Sequence, residues 1–290
     1  MNVSLENSVQ AATVREVSQL TPGMPASDGA GVQLTRIVGS PMVDMVDPFL
    51  LLDAFGSDKP GDYIAGFPDH PHRGFETVTY ILAGRMRHKD NAGHEGVIGP
   101  GDVQWMTAGR GIVHSEMPEQ EDGLLMGFQL WVNLPGKDKM TAPRYQEFPA
   151  SEIAVEDLDG GGTVKVIAGR TDAGAEGPVK DISTDPLYLD VTLTPGAHFG
   201  QSVPAPHGGF IYVFEGSVSV GANGTEVPTG TLAVLDEGAR VEVTASDTGG
   251  RFLLISGKRL NEPVARGGPF VMNTRAEVLQ AFQDYQAGRF

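Results

Sequence analysis

Apolar runs in this chain are short, and glycine or proline cuts off almost every one. The 290 residues include 39 glycines and 20 prolines, spread between segments rich in β-branched and aromatic side chains. Glu76-Thr77-Val78-Thr79-Tyr80-Ile81-Leu82 is typical, stopping at Ala83-Gly84. Such punctuation favours strands joined by turns over long helices, so the expected fold class is all-β. Further strands are expected at Val32–Val38, Phe49–Asp53, Arg85–Lys89, Asp102–Met106, Ile112–His114 and Phe128–Leu134. Gly56 to Pro71 reads as loop. A second series covers Val164–Ala168, Leu187–Leu193, Phe210–Phe214, Thr231–Leu235, Arg240–Thr244 and Phe252–Ser256. Only the tail reads as a helix: Thr274 and Glu277 form a capping box, and Val278, Leu279 and Phe282 share a face.

The two series resemble each other. Tyr80-Ile81-Leu82-Ala83-Gly84 matches Tyr212-Val213-Phe214-Glu215-Gly216, and Gly101-Asp102-Val103 matches Gly230-Thr231-Leu232. Two copies of one β unit are therefore expected, over residues 1–145 and 146–290, with the charged and Gly-rich stretch from about 136 to 163 as their connection.

Composition narrows the function classes. With 21 Lys+Arg against 37 Asp+Glu, the formal charge is −16. That field opposes direct binding to nucleic acid or to an anionic membrane. Cysteine is absent, which excludes disulfides, iron–sulfur clusters and a thiol nucleophile. The opening MNVSLENSVQ has no basic-then-apolar leader, and no stretch has the length of a membrane helix, so a cytoplasmic location is expected.

The chemistry concentrates in two words. In Gly66-Phe67-Pro68-Asp69-His70-Pro71-His72-Arg73-Gly74-Phe75-Glu76, the histidines stand two apart. On an extended chain they share a face. His114-Ser115-Glu116 repeats that spacing with one imidazole and one carboxylate. Three nitrogens and one oxygen suit a first-row metal with room left for substrate.

His70-x-His72-x3-Glu76 followed by Gly84 resembles the first motif of the cupins, and Gly101 through Gly109 to His114 resembles the second. Three residues separate Gly66 from His70, and Thr107 stands where many cupins have proline. The longer words are similar to one branch, the pirins: Asp47-Pro48-Phe49-Leu50-Leu51-Leu52-Asp53, His70 through Val78, Gln104 through Gly111, His114-Ser115-Glu116-Met117, Asn261 through Val264 and Gly268 through Thr274.

The resemblance implies a bicupin, two consecutive jelly-roll-like barrels with a short C-terminal helix. It implies one divalent transition metal ion per chain, usually iron, with Mn, Co, Ni, Cu or Zn as alternatives. By position the metal ligands are His70, His72, His114 and Glu116, whereas generic cupins would use Glu76. The second copy offers Ser202, Pro204, Gly208, Val243 and Ala245 at corresponding positions, no ligand set. Several pirins open flavonols as quercetin 2,3-dioxygenases, so a small aromatic or enolic substrate and O₂ are the implied partners, with Glu116 as catalytic base. The alternative is a non-catalytic, iron-dependent regulator that binds transcription factors or metabolic enzymes.

Plainer roles are expected elsewhere. His88 and His94 flank a hairpin turn and read as solvated loop residues. Arg73 is expected to pair with Glu76. Trp105, Met106, Phe128 and Trp131 read as core, with one or two lining a pocket.

Overall fold

The computed structural model describes residues 13–290. The reading of the first ten residues lies outside them. Two β-barrels follow one another, and each half of the sequence repeat supplies the heart of one. The first barrel has a seven-stranded sheet in the order Arg144–Phe148, Val103–Thr107, Phe75–Ala83, Leu125–Asn133, Phe49–Ser57, Val32–Val38, Met24–Asp28. A four-stranded sheet covers it, in the order Phe67–His72, Ile112–Pro118, Met86–Asp90, Glu95–Ile98. All of these pairings are antiparallel.

The second barrel runs Val17–Pro22, Thr231–Leu235, His207–Val220, Arg240–Lys258, Leu187–Leu193, Gly162–Ala168, Ala154–Asp157. Arg240–Thr244 and Phe252–Ser256 belong to one strand, not two. Its first part pairs with His198–Ser202 and its last part with Leu187–Leu193. The polar residues between them carry the strand around the barrel corner rather than ending it.

Further differences from the sequence reading have physical causes. Phe67–His72 is a strand although Pro68 and Pro71 made it look like a loop; it lies at a sheet edge, where a missing N–H costs little. The boundary expected at 145/146 would cut the strand Arg144–Phe148, which pairs with Val103–Thr107 of the first barrel. Val17–Pro22, near the start of the chain, pairs instead with Thr231–Leu235 of the second. In the helix Arg275–Gln286, Thr274 and Glu277 make the expected capping box. However, its buried stripe is Val278 and Ala281, while Leu279 is 55% exposed.

The barrels share a core. Val78, Tyr80, Trp105, Phe128 and Leu130 from the first pack with Tyr188, Phe210, Leu253 and Ile255 from the second. The Tyr80 hydroxyl donates to Asp190 Oδ2 at 2.7 Å, and Arg251 pairs with the same carboxylate at 2.7 Å. Burying this much aromatic surface between the halves fixes one face of the large sheet against the second barrel. The opposite face is left to line the interior of the first.

Among the described residues, no helix is long and apolar enough to cross a membrane.

Candidate metal centre

His70 and His72 come from the edge strand Phe67–His72, and His114 from its neighbour Ile112–Pro118. Register places His114 opposite His70 and Ile112 opposite His72. One ligand atom from each of the three imidazoles can be chosen so that all lie within 4.8 Å of one another. Ring centroids are 4.4 Å apart for His70–His114, 4.7 Å for His70–His72 and 5.1 Å for His72–His114.

This set fits a metal ion. His72 Nδ1 and both ring nitrogens of His114 are buried without a hydrogen-bond partner, an arrangement that is costly unless something accepts their lone pairs. His70 Nδ1 lies 2.8 Å from the Pro68 carbonyl oxygen, to which it can donate. That orients the ring and leaves Nε2 free, as in many metal-binding histidines. Burial, reinforced by the neighbouring imidazoles, holds His72 and His114 well below the usual histidine range. Both are neutral at pH 7, the form that binds metals.

Glu116 stands outside this group of three. The register shifts between His114 and Glu116, placing Glu116 opposite Phe67, and such an irregularity re-aims a side chain beside a site. Its carboxylate lines the same cavity as His70 and His72. Burial pushes its pKa up, while His70 and the Thr79 hydroxyl pull the other way. Thr79 Oγ1 lies 3.0 Å from Glu116 Oε1 and 2.7 Å from Gln129 Oε1. A hydroxyl has one proton. With the Gln129 amide turned to present its NH₂, Thr79 accepts from Gln129 and donates to Glu116.

The cavity holds about 690 Å³, within the range of small-molecule sites. Leu34, Leu51, Phe55, Phe67 and Trp131 contribute apolar wall. Arg36 and Asp53 form a two-pronged ion pair on it, at 3.0 and 2.7 Å. Thr79, Gln129, Arg36 and Asp53 were not singled out in the sequence. Strand alternation could have found Thr79, since it faces the same way as Phe75.

The same alternation turns Glu76 away. It shares its face with Val78 and Tyr80, which pack into the core between the barrels. Its Oε1 accepts from Thr107 at 2.6 Å, and its Oε2 has no partner. Burial pushes this carboxyl up to about 7, against the pull of Thr107. Between an unfolded value of 4.5 and about 7, the folded protein therefore holds a proton that the unfolded chain has released. Stability from this group is fully present below pH 4.5 and is lost as pH rises through about 7. The expected loss is about 3 kcal/mol across that window. Glu76→Gln should remove it. Urea unfolding of both proteins at pH 5 and pH 8 tests this; identical pH dependence in the two would refute it.

Arg73 does not pair with Glu76. Its Nη1 donates to Asp284 Oδ2 at 2.7 Å, and its guanidinium lies 4.3 Å from the Phe290 ring centroid. It is directed to the C-terminal segment because it points opposite to His72 along the chain. Next to it, Gly74 has φ +87, and a Cβ there would sit 2.0 Å from the Val271 carbonyl oxygen. His88 is not solvated; it is buried against Glu147, while His94 is half-buried beside it. Inward alternation along Met86–Asp90 overrides the polarity that suggested a loop. Trp105, Met106 and Phe128 are core, and Trp131 lines the cavity. In the second barrel, Val243 and Ala245 join a continuous apolar core with Val213, Phe199 and Phe252. Side chains fill the space that the first barrel leaves open.

Residues 31–132 match the pirin domain, and residues 188–290 match the pirin C-terminal cupin domain. A pirin-like protein of Caulobacter vibrioides is 54% identical over 277 residues, 96% of this chain and 99% of that one. A candidate quercetin 2,3-dioxygenase of Pseudomonas aeruginosa is 49% identical, over 94% of this chain and 97% of its own length. Among solved structures, a quercetin 2,3-dioxygenase from Acinetobacter baumannii superposes with a TM-score of 0.88 at 34% identity, covering 96% of this chain and 99% of that one. With both of its barrels matched, the chain belongs to the pirin family.

Proposed function

We propose that this chain is a metal-dependent dioxygenase that opens flavonols such as quercetin with O₂. The observation that carries this reading is the clustering of three imidazoles, with His72 and His114 buried, beside an apolar-walled cavity that His70, His72 and the Glu116 carboxylate line. His70, His72, His114 and Glu116 would hold one divalent ion, with Fe²⁺ as the expected metal. When bound, such an ion supplies Lewis acidity toward an enolic oxygen and an electron path between substrate and O₂.

The protein's own contributions follow from the cavity. Its walls exclude water from the ring to be opened. Trp131 and Phe67 offer flat apolar surface to an aromatic substrate. Glu116, desolvated and therefore more basic than an exposed carboxylate, accepts the proton of the flavonol 3-hydroxyl. Thr79 steadies the carboxylate while that proton moves. The ring then takes up both atoms of O₂ and loses one carbon as carbon monoxide.

Oxygen uptake by iron-loaded protein on a panel of flavonols, with carbon monoxide measured in parallel, tests the reading. Quercetin-dependent uptake with stoichiometric carbon monoxide supports it. Folded, metal-loaded protein that consumes no oxygen above the buffer rate overturns it, and would favour a metal-dependent regulator that binds proteins.

A further inference from the structure

A second group of metal-capable side chains lies at the seam of the first barrel. His88 is on the strand Met86–Asp90, and His94 precedes the edge strand Glu95–Ile98 of the four-stranded sheet. Glu147 is on Arg144–Phe148, the edge strand of the seven-stranded sheet. One ligand atom from each lies within 4.8 Å of the others. His88 Nε2 is 2.7 Å and His94 Nε2 is 3.0 Å from the same atom, Glu147 Oε1.

We propose that His88, His94 and Glu147 form a second divalent-cation site, of zinc type, that clips the two sheets together where their edge strands meet. Four observations converge on it. His88 is 2% exposed, and neither ring nitrogen makes a hydrogen bond: Nε2 lies 2.7 Å from the oxygen, but off the direction of a ring N–H. A buried imidazole nitrogen and a carboxylate oxygen this close call for a proton or a cation between or beside them. Among the described residues, neither Lys nor Arg pairs with Glu147; its charge is met only by imidazoles and by the Gln104 amide, which donates at 2.7 Å.

The rings are also held in place. A Cβ on Gly96 would come within 2.7 Å of His88 Cε1, so the missing side chain is what lets the imidazole lie flat on that strand. His94 stacks on Tyr145 at 4.2 Å, and its backbone N–H donates to Asp90 Oδ1 at 2.8 Å. His94 and Glu147 are 38% and 31% exposed at their side chains, so an ion can enter from solvent. Ligands on a tetrahedral zinc stand roughly 3.3 Å apart, given bonds of about 2.0–2.2 Å. From 3.0 Å for His94–Glu147 and 2.7 Å for His88–Glu147, these pairs need to open by about 0.3 and about 0.6 Å, which the part-exposed Glu147 side chain can supply. Two imidazoles and one carboxylate favour zinc or a related transition ion over magnesium or calcium.

The site is separate from the three-histidine centre. His88 and Glu116 are cross-strand partners, yet the two groups share no member. Stoichiometry distinguishes them. Metal-free full-length protein is loaded with Zn²⁺, freed of excess by gel filtration and analysed for zinc. Wild type should carry about two equivalents, His72→Ala and Glu147→Gln about one each, and the double variant none. Zinc should raise the melting temperature of His72→Ala but not of the double variant. If Glu147→Gln does not fold by circular dichroism, His94→Ala takes its place, since that ring is half exposed. The proposal is overturned if His72→Ala holds no zinc, or if the double variant holds as much as His72→Ala. Failure of the three-histidine reading looks different: His72→Ala would then keep the full wild-type content.

Discussion

His72→Ala is expected to lose its catalytic metal and its flavonol-dependent oxygen uptake together. His72 is buried, with Phe75 and Trp131 at ring-centroid distances of 5.0 and 5.2 Å. No neighbouring side chain can swing in to replace its nitrogen, because both aromatic neighbours are apolar there. Two imidazoles and a displaced carboxylate hold a divalent ion far less tightly than three imidazoles with it, and loss of occupancy removes turnover. The truncation also leaves a hole the size of the ring, which should cost about 2–4 kcal/mol of stability on the scale of buried large-to-small changes. Elemental analysis and oxygen uptake on the same sample check the first part, and added imidazole provides a control. Partial rescue by imidazole would show that the missing group is a ligand and not merely packing. A variant that retains wild-type turnover shows that this centre is not the reactive one.

Glu116→Gln separates holding the ion from using it. Glutamine keeps the shape of the side chain, an oxygen that can accept from Thr79, and one oxygen donor toward a metal. It removes the charge and the basicity. With His70, His72 and His114 intact, much of the metal should remain, while flavonol turnover falls by about 10²-fold or more, the usual scale for loss of a general base. Turnover equal to wild type in the metal-loaded variant would remove Glu116 from the chemistry. Glu76→Gln is the internal control, since that carboxyl faces the core between the barrels. It should alter stability with pH and leave the ion in place.

How much could be read from sequence differs between the parts of this site. The His70–His72 spacing was informative because an extended chain repeats every two residues, so both imidazoles face one way; the same spacing did not carry Glu116 into the cluster, because the register shifts between it and His114. The strand that carries the first pair was missed, since Pro68 and Pro71 signal a break and only an edge position tolerates them. Glu76 could not be assigned from local spacing, because alternation says that it opposes Thr77 but not which face meets the second barrel. That depends on Tyr188, Phe210 and Leu253, which come much later in the chain. His88 shows the same limit: its pairing with Glu147 crosses between sheets, a contact that no local pattern contains. The overall all-β, two-unit design was legible because turns and the internal repeat are local features. The exchange of the early strand into the second sheet was not, since it rests on a long-range pairing.

That exchange, together with the anchoring of Arg73 by Asp284 and Phe290, bears on how the protein is made. Domains ordinarily fold in turn as they leave the ribosome. Here Val17–Pro22 waits for Thr231–Leu235, and the segment after His72 waits for the last residues of the chain. Until Asp284 and Phe290 are made, the turn after His72 is held by Gly109, Arg110 and Lys139 of the first barrel. An addition behind Phe290 would sit against Arg73 and Gly111, whereas one placed ahead of the first strand leaves that anchor free.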